Sequence, residues 1–315
     1  MRKKLAIAVF VLSVLIIVSV TAIRAGMMGG MMGGMMGGGG MMGGGMMSQM
    51  AWYGGAAVPI DWKTPRPPEN ERSIKMGNRI YQNRCAPCHG SKGDGAGRIA
   101  AELEVKPRDF TSGTFKFRST PTGYPPTNED LFTTVSRGLH GTAMLPWTQL
   151  STVEKWYVVY FIKTFSDVFE EGDDKVVVKP PKPDKSETEY IALGKQTYKK
   201  AKCAQCHGDK GYGDGEKADK LKDDWLHPIR PRNFVGELLK RGMEINDIYL
   251  TIATGLYGAP MEGYQNKLSE DEIMSLAYYI RSIALKKRPR RGMMGMMSSM
   301  TSDEMIGMRI YHHGG

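Results

Sequence analysis

From residue 5 to residue 23 the chain is apolar almost without interruption, softened only by Ser13, Ser19 and Thr21. Apolar positions return at helical spacing in two later places. Val153, Trp156, Tyr157, Tyr160, Phe161 and Thr164 share one helix face, as do Ile273, Leu276, Ala277, Ile280 and Ile283 or Ala284. Recurrence at three and four residues predicts amphipathic helices with one buried side. Ser151 and Ser269 stand just before them as N-caps. Elsewhere the pattern breaks. Residues 26–50 are almost only Met and Gly, which cannot build a packed core and are expected to be disordered. Residues 170–186 are charged and Pro-rich, a semi-rigid linker. Residues 288–315 form a basic, Met-rich tail, likewise expected to be disordered. What remains is two segments, 72–169 and 187–287, each ending in an apolar stripe. Two tandem domains are expected, each ending in a helix.

The two segments repeat each other. Gly77 and Tyr81 precede "CAPCHG" (85–90); Gly194 and Tyr198 precede "CAQCHG" (203–208). "PRDF" (107–110) answers "PRNF" (231–234), and "EDLFTTVSRGLHGTAM" (129–144) answers "NDIYLTIATGLYGAPM" (246–261). The chain has 4 cysteines, and the two hexamers hold all of them.

C-x-x-C-H is the attachment signature of c-type haem. Two cysteines three apart at a helix start lie on one face, so both sulfurs can form thioethers to the haem vinyl groups, and the next histidine points at the iron. A disulfide needs no histidine, zinc would need more ligands near each pair, and a thioredoxin-like redox pair is not normally duplicated with a following His. Cys85, Cys88 and His89, and Cys203, Cys206 and His207, are therefore the expected sites of two covalently bound haems c.

The sixth iron position decides function: open, it binds a small ligand or peroxide; filled by methionine, it serves electron transfer. Of 24 methionines, 11 lie in residues 27–50 and 7 after residue 291. Met144 and Met261 occupy equivalent places, 55 and 54 positions after His89 and His207, each following a Gly-containing loop. His140 rivals Met144, but its counterpart is Tyr257; Met243 is the rival of Met261. His227 lies in a six-residue insertion before the second "PR" pair and is expected to face solvent. His312 and His313 end the tail and are expected to be free of haem.

Each repeat resembles a class I c-type cytochrome domain, the small, mostly helical fold with His/Met haem, which implies a mainly α chain of two tandem cytochrome c domains. The resemblance implies that Gly77 and Gly194 let the last helix cross the first closely, with Tyr81 and Tyr198 beside the crossing. It also implies that the carbonyls of Pro107 and Pro231 accept a hydrogen bond from the axial histidines, and that Arg108 and Arg232 suit the haem propionates. Two departures stand out: Leu145 separates Met144 from Pro146, and Glu262 follows Met261 with no proline.

Arg2, Lys3 and Lys4 before the apolar run make residues 1–25 a secretory signal or, favoured by its length, a membrane anchor. The haem domains are then exported, periplasmic or otherwise extracytoplasmic, because the positive end stays in the cytoplasm. The net charge of +10 favours acidic or membrane-bound redox partners. Nucleic acid is not expected, since the dense basic cluster "KKRPRR" (286–291) stands without a recognition motif. Paired thioethers in the flanks also suit Cu(I). The expected function is single-electron transfer between respiratory partners, as a shuttle or as the cytochrome subunit of a membrane oxidoreductase, which resembles the two-haem subunit of some haem–copper terminal oxidases. The alternatives are a two-haem enzyme, a peroxidase or thiosulfate-oxidising cytochrome, and copper handling by the flanks.

Overall fold

The structure, a computed structural model, describes residues 52–170, 176–285 and 301–313. The helices, in order, are α1 (Glu71–Arg84), α2 (Ala86–His89), α3 (Asn128–Arg137), α4 (Thr152–Lys163), α5 (Glu187–Lys200), α6 (Ala204–His207), α7 (Ile245–Thr254), α8 (Glu270–Leu285) and α9 (Ser302–His313). Among the described residues no strand forms; Lys222 and Pro228 make one isolated bridge. The chain builds two cores. One gathers Tyr81, Phe110, Leu131, Phe132, Trp156 and Tyr160; the other gathers Tyr198, Phe234, Ile248, Ile252, Ile273 and Ile280.

Capping starts these helices where the sequence places them. Ser151 accepts from the Glu154 amide while the Glu154 carboxylate accepts from the Ser151 amide, and Ser269 and Glu272 exchange the same two bonds. Thr127 with Asp130 and Ser186 with Glu189 repeat the device for α3 and α5.

In each domain the last helix crosses the first at a glycine. A Cβ on Gly77 would strike the Tyr157 carbonyl and lie 2.9 Å from Phe161 Cβ. One on Gly194 would strike the Ser275 carbonyl and lie 2.7 Å from Tyr279 Cβ. The α8 stripe is buried as expected, with Met274 and Ser275 added to it. The α4 stripe is wider than its periodicity suggests. Tyr157 and Phe161 meet α1, Thr164 is exposed, and Val158, Val159 and Ile162 are buried on a second face. Both Val158 and Ile162 line the cavity described below, so α4 is apolar on two sides because it packs on α1 with one and faces that cavity with the other.

The domains are joined by buried polar contacts. Arg241 donates to the Arg118 carbonyl (2.8 Å) and pairs with Asp130 (3.4 Å) and Asp247 (3.9 Å). Arg137 pairs with Asp247 (3.4 Å), and Arg118 donates to the Thr254 carbonyl (2.7 Å). The described part of the linker also docks, with the Val178 amide donating to the Ser119 carbonyl.

The apolar run of residues 5–23 and the Met/Gly segment 26–50 lie outside the described residues. Among the described residues no helix is long and apolar enough to cross a membrane. The tail departs from expectation: residues 302–313 are helical, and Met308 packs against the first core. A Thr301–Glu304 capping box starts this helix, and docking supplies the burial its composition lacks.

Candidate functional site

Each Cys-x-x-Cys-His run is a single helical turn set at the end of a long helix. The Cys85 amide donates to the Tyr81 carbonyl as α1 ends, and the His89 amide donates to the Cys85 carbonyl. The His207 amide donates to the Cys203 carbonyl in the same way. The chain then reverses: the Gly95 and Gly213 amides return to the His89 and His207 carbonyls, each at 2.9 Å. All four cysteines are free thiols, half-buried. Burial pushes the Cys85 thiol up to about 12 and those of Cys88 and Cys203 up to about 11, so they are neutral.

The histidines are fixed by a carbonyl and an aromatic ring. His89 Nδ1 lies 3.0 Å from the Arg108 carbonyl and His207 Nδ1 lies 3.3 Å from that of Arg232. A carbonyl only accepts, so Nδ1 carries the proton and Nε2 is left with a lone pair able to ligate a metal. The expected acceptors, Pro107 and Pro231, are corrected by one residue. Their carbonyls turn toward the loop after the Cys-x-x-Cys-His turn, where a Cβ on Gly95 or Gly213 would lie 3.0 or 2.6 Å away. Phe110 stacks on His89 (centroids 4.6 Å, 18°) and Phe234 on His207 (4.5 Å, 20°). These two phenylalanines close the "PRDF" and "PRNF" repeats, so their matched positions were the available signal for a role beside the histidines. Burial draws His89 down to about 4 and lowers His207, which keeps both imidazoles neutral.

In the first domain these groups face a cavity of about 180 Å³. Its wall includes Cys85, Cys88, His89, Phe110, Leu131, Val135, Met144, Leu145, Val158 and Ile162. Leu145, the residue that interrupts the Met–Pro pair, is buried in that wall. Met144 is held by a tight loop: Gly138, at φ +64°, lets the Leu139 amide reach the Met144 carbonyl (2.7 Å). Gly255, at φ +67°, repeats this, with the Leu256 amide on the Met261 carbonyl (2.8 Å), and Met261 packs half-buried against the second core. His140 is not in the cavity wall; its ring stacks on Trp52 at 4.4 Å. His227 is exposed beside Asp223, as expected, and Met243 lies just before α7.

The cations are more widely shared than the "PR" pairs suggest. The Arg108 guanidinium lies 4.4 Å over Trp225 of the second domain. Arg232 donates to the Leu238 carbonyl (2.7 Å) and the His140 carbonyl (3.4 Å) and pairs with Glu237 (2.9 Å). Lys116 and Lys240 also line the first cavity, and Lys240 comes from the second domain. Burial first, then Arg232 and Lys116 nearby, draw Lys240 down to about 8. No sequence signal joins Lys240 to a cavity 100 residues upstream. An anion brought into this cavity would relieve the crowding of positive charge.

The donor set fits a c-type haem: two neutral thiols a helical turn apart, an imidazole with one nitrogen committed, an apolar wall containing a thioether, and cations for carboxylates. Among the described residues no group of three or more His, Cys, Asp or Glu side chains could hold a metal ion alone. The methionine flanks considered for Cu(I) lie mostly outside the described residues.

Two family models match the chain. "Cytochrome c" matches residues 191–284, and "Cytochrome C oxidase, cbb3-type, subunit III" matches residues 72–162. Among curated proteins, none matches. A chain in the solved Kuenenia stuttgartiensis reducing HAO-like protein complex Kustc0457/Kustc0458 is similar, with 37% identity and a TM-score of 0.65. The alignment covers 70% of this chain and 99% of that one.

Proposed function

This chain belongs to the c-type cytochromes, electron-transfer haem proteins, with two cytochrome c domains in tandem, and we propose that it passes single electrons between redox partners through two covalently bound haems c. Cys85 and Cys88 would hold one and Cys203 and Cys206 the other. His89 and His207 would supply a nitrogen ligand to each iron, and Met144 and Met261 a thioether. The observation that carries this reading is the first cavity, whose wall contains both His89 and Met144 while His140 is turned onto Trp52.

The haem supplies reversible one-electron exchange at iron. The protein's part is positional and electrostatic. The carbonyls of Arg108 and Arg232 orient each imidazole, burial keeps it neutral, and Phe110 and Phe234 hold the ring planes. A thioether from Met144 in this apolar cavity would favour the reduced, less charged iron and raise the potential. With methionine so bound the iron would offer no site to a substrate, and the presence of Met144 in the cavity wall supports a carrier over a peroxidase or thiosulfate-oxidising enzyme.

Basic surface suits acidic redox proteins. A similar chain sits in a multi-protein redox complex, and the first domain matches an oxidase subunit. Both support a subunit of a larger oxidoreductase over a free shuttle. The reading places the haem domains on the exported side of the membrane, tethered through residues 5–23.

The test is the optical spectrum of the oxidised, haem-loaded protein, in the long-wavelength band of methionine-ligated ferric haem. Met144→Ala and Met261→Ala should each remove about half of it. Intact mass should show two haems per chain. A wild type with no such band, or with a high-spin haem, overturns the carrier reading.

A further inference from the structure

The first turn of α9 carries two buried carboxylates, Asp303 and Glu304, which are 2% and 6% exposed. Asp303 accepts from the amides of Glu104 (3.0 Å) and Val105 (2.9 Å), just ahead of the Pro107–Arg108 segment that fixes His89. Glu304 accepts from the Gly141 amide (3.0 Å), in the loop that carries Met144. Gly307, one turn on, lies in the cavity wall, and a Cβ there would drive into the Ala143 backbone, 2.9 Å from its Cα. One helical turn thus grips both loops that frame the first cavity, and its backbone closes on the residue next to Met144.

The second domain bridges the equivalent loops by another device. Gly258 is the counterpart of Gly141, and its carbonyl accepts from the Asp224 amide (3.2 Å). Trp225 packs on Gly258, with its Cζ3 2.9 Å from where a Cβ would stand. The same insertion is tied to the segment before Pro231 by the Ile229 amide on the Leu221 carbonyl (3.1 Å). The six extra residues between His207 and Pro231 supply this brace. The first domain lacks them, and α9 lies at the matching place.

We propose that Asp303 and Glu304 are positioning residues for the sixth ligand of the first haem, with α9 clamping the Met144 loop to the His89 loop. The proposal rests on the assignment of Met144 as that ligand. A loosely held thioether dissociates from ferric iron and admits water or external ligands; a clamped one does not.

The test uses the full-length, haem-loaded chain in three forms: Asp303→Ala with Glu304→Ala, Gly307→Val, and Met305→Ala as a control on the exposed face of α9 (48% exposed). Hydrogen exchange at the Glu104, Val105 and Gly141 amides reads the clamp independently of haem. The double variant should lose protection there by tenfold or more, about what one hydrogen bond is worth. Both clamp variants should lower the midpoint potential of one haem and leave the other at its wild-type value. They should also admit carbon monoxide to one reduced haem per chain and weaken the Met144 share of the charge-transfer band. Met305→Ala should match wild type in every readout. Wild-type protection and potentials in the clamp variants overturn the proposal, and so does an equal loss at both haems. If Met144→Ala leaves the band untouched, the ligand assignment falls, while amide protection still decides whether the clamp exists.

Discussion

The hydroxyl of Tyr81 donates a 2.8 Å hydrogen bond to the carbonyl of Gly90, tying the end of α1 to the residue that closes the first Cys-x-x-Cys-His turn. Tyr198 makes the same bond to Gly208 (2.8 Å). Both rings are buried, and each glycine carbonyl also accepts from the Gly93 or Gly211 amide (3.1 and 3.2 Å), so removing a hydroxyl takes away one of its two bonds. Tyr81→Phe and Tyr198→Phe should each cost about 0.5–1.5 kcal/mol. Thermal melts of the haem-loaded protein should fall by several degrees for each; an unchanged midpoint would mean that water replaces the hydroxyl.

Gly77→Ala tests the helix crossing through the sign of its effect. In an exposed helix interior the change would stabilise by about 1 kcal/mol. Here the new methyl meets the Tyr157 carbonyl, so the variant should lose about 1–3 kcal/mol through overpacking. Gly194→Ala should do the same against Ser275. Denaturant titration decides, and a gain in stability at either site would show that the crossing can open.

Phe110→Leu keeps apolar volume but removes the ring stacked on His89. The loss should be about 0.5–1.5 kcal/mol, with a wider spread of imidazole orientations. Electron paramagnetic resonance of the oxidised protein should show it as broadened anisotropy at one haem. Phe234→Leu should affect the other.

Arg241 holds two carboxylates from different domains. Arg241→Met leaves Asp130 and Asp247 buried with less compensation and should cost about 3–5 kcal/mol. Calorimetry should then resolve two unfolding transitions, one per domain, where the wild type shows closer coupling.

Burial raises the Asp247 carboxyl above its ordinary value of 3.8, against the pull of Arg137 and Arg241. The folded state therefore binds this proton more tightly than the unfolded chain. Its contribution to stability is fully present below the ordinary carboxylate value and is lost as pH rises through the raised one. Asp247→Asn should flatten that acid-side stretch of a stability–pH curve, and a curve parallel to wild type would count against the assignment.

Much of this molecule is set locally. A thiol pair three residues apart with a histidine next to it folds as one helical turn in both repeats. Ser151 and Ser269 cap because their partners, Glu154 and Glu272, are three residues on. Repetition made Met144 and Met261 legible as a pair, since equivalent loops close through equivalent bonds at Gly138 and Gly255. Phe110 and Phe234 were visible as repeats, but stacking on a histidine depends on where the chain returns after a turn.

What only the tertiary structure decided lies across long separations. Arg108 and Arg232, not the prolines before them, present a carbonyl to the imidazole, because Pro107 and Pro231 turn toward Gly95 and Gly213. Lys240 reaches the first cavity through a domain contact that no local pattern encodes. Residues 302–313 depart furthest from the expectation for the tail. Its Met-rich composition speaks for disorder, while its Thr301–Glu304 capping box speaks for a helix. An isolated helix of 12 residues is marginal in water. It becomes a fixed element because two carboxylates meet the unpaired amides of Glu104, Val105 and Gly141, and those amides are brought together by the folded first domain. Spacing along the chain therefore determined the chemistry each haem site can have, and packing between distant segments decided which groups surround it.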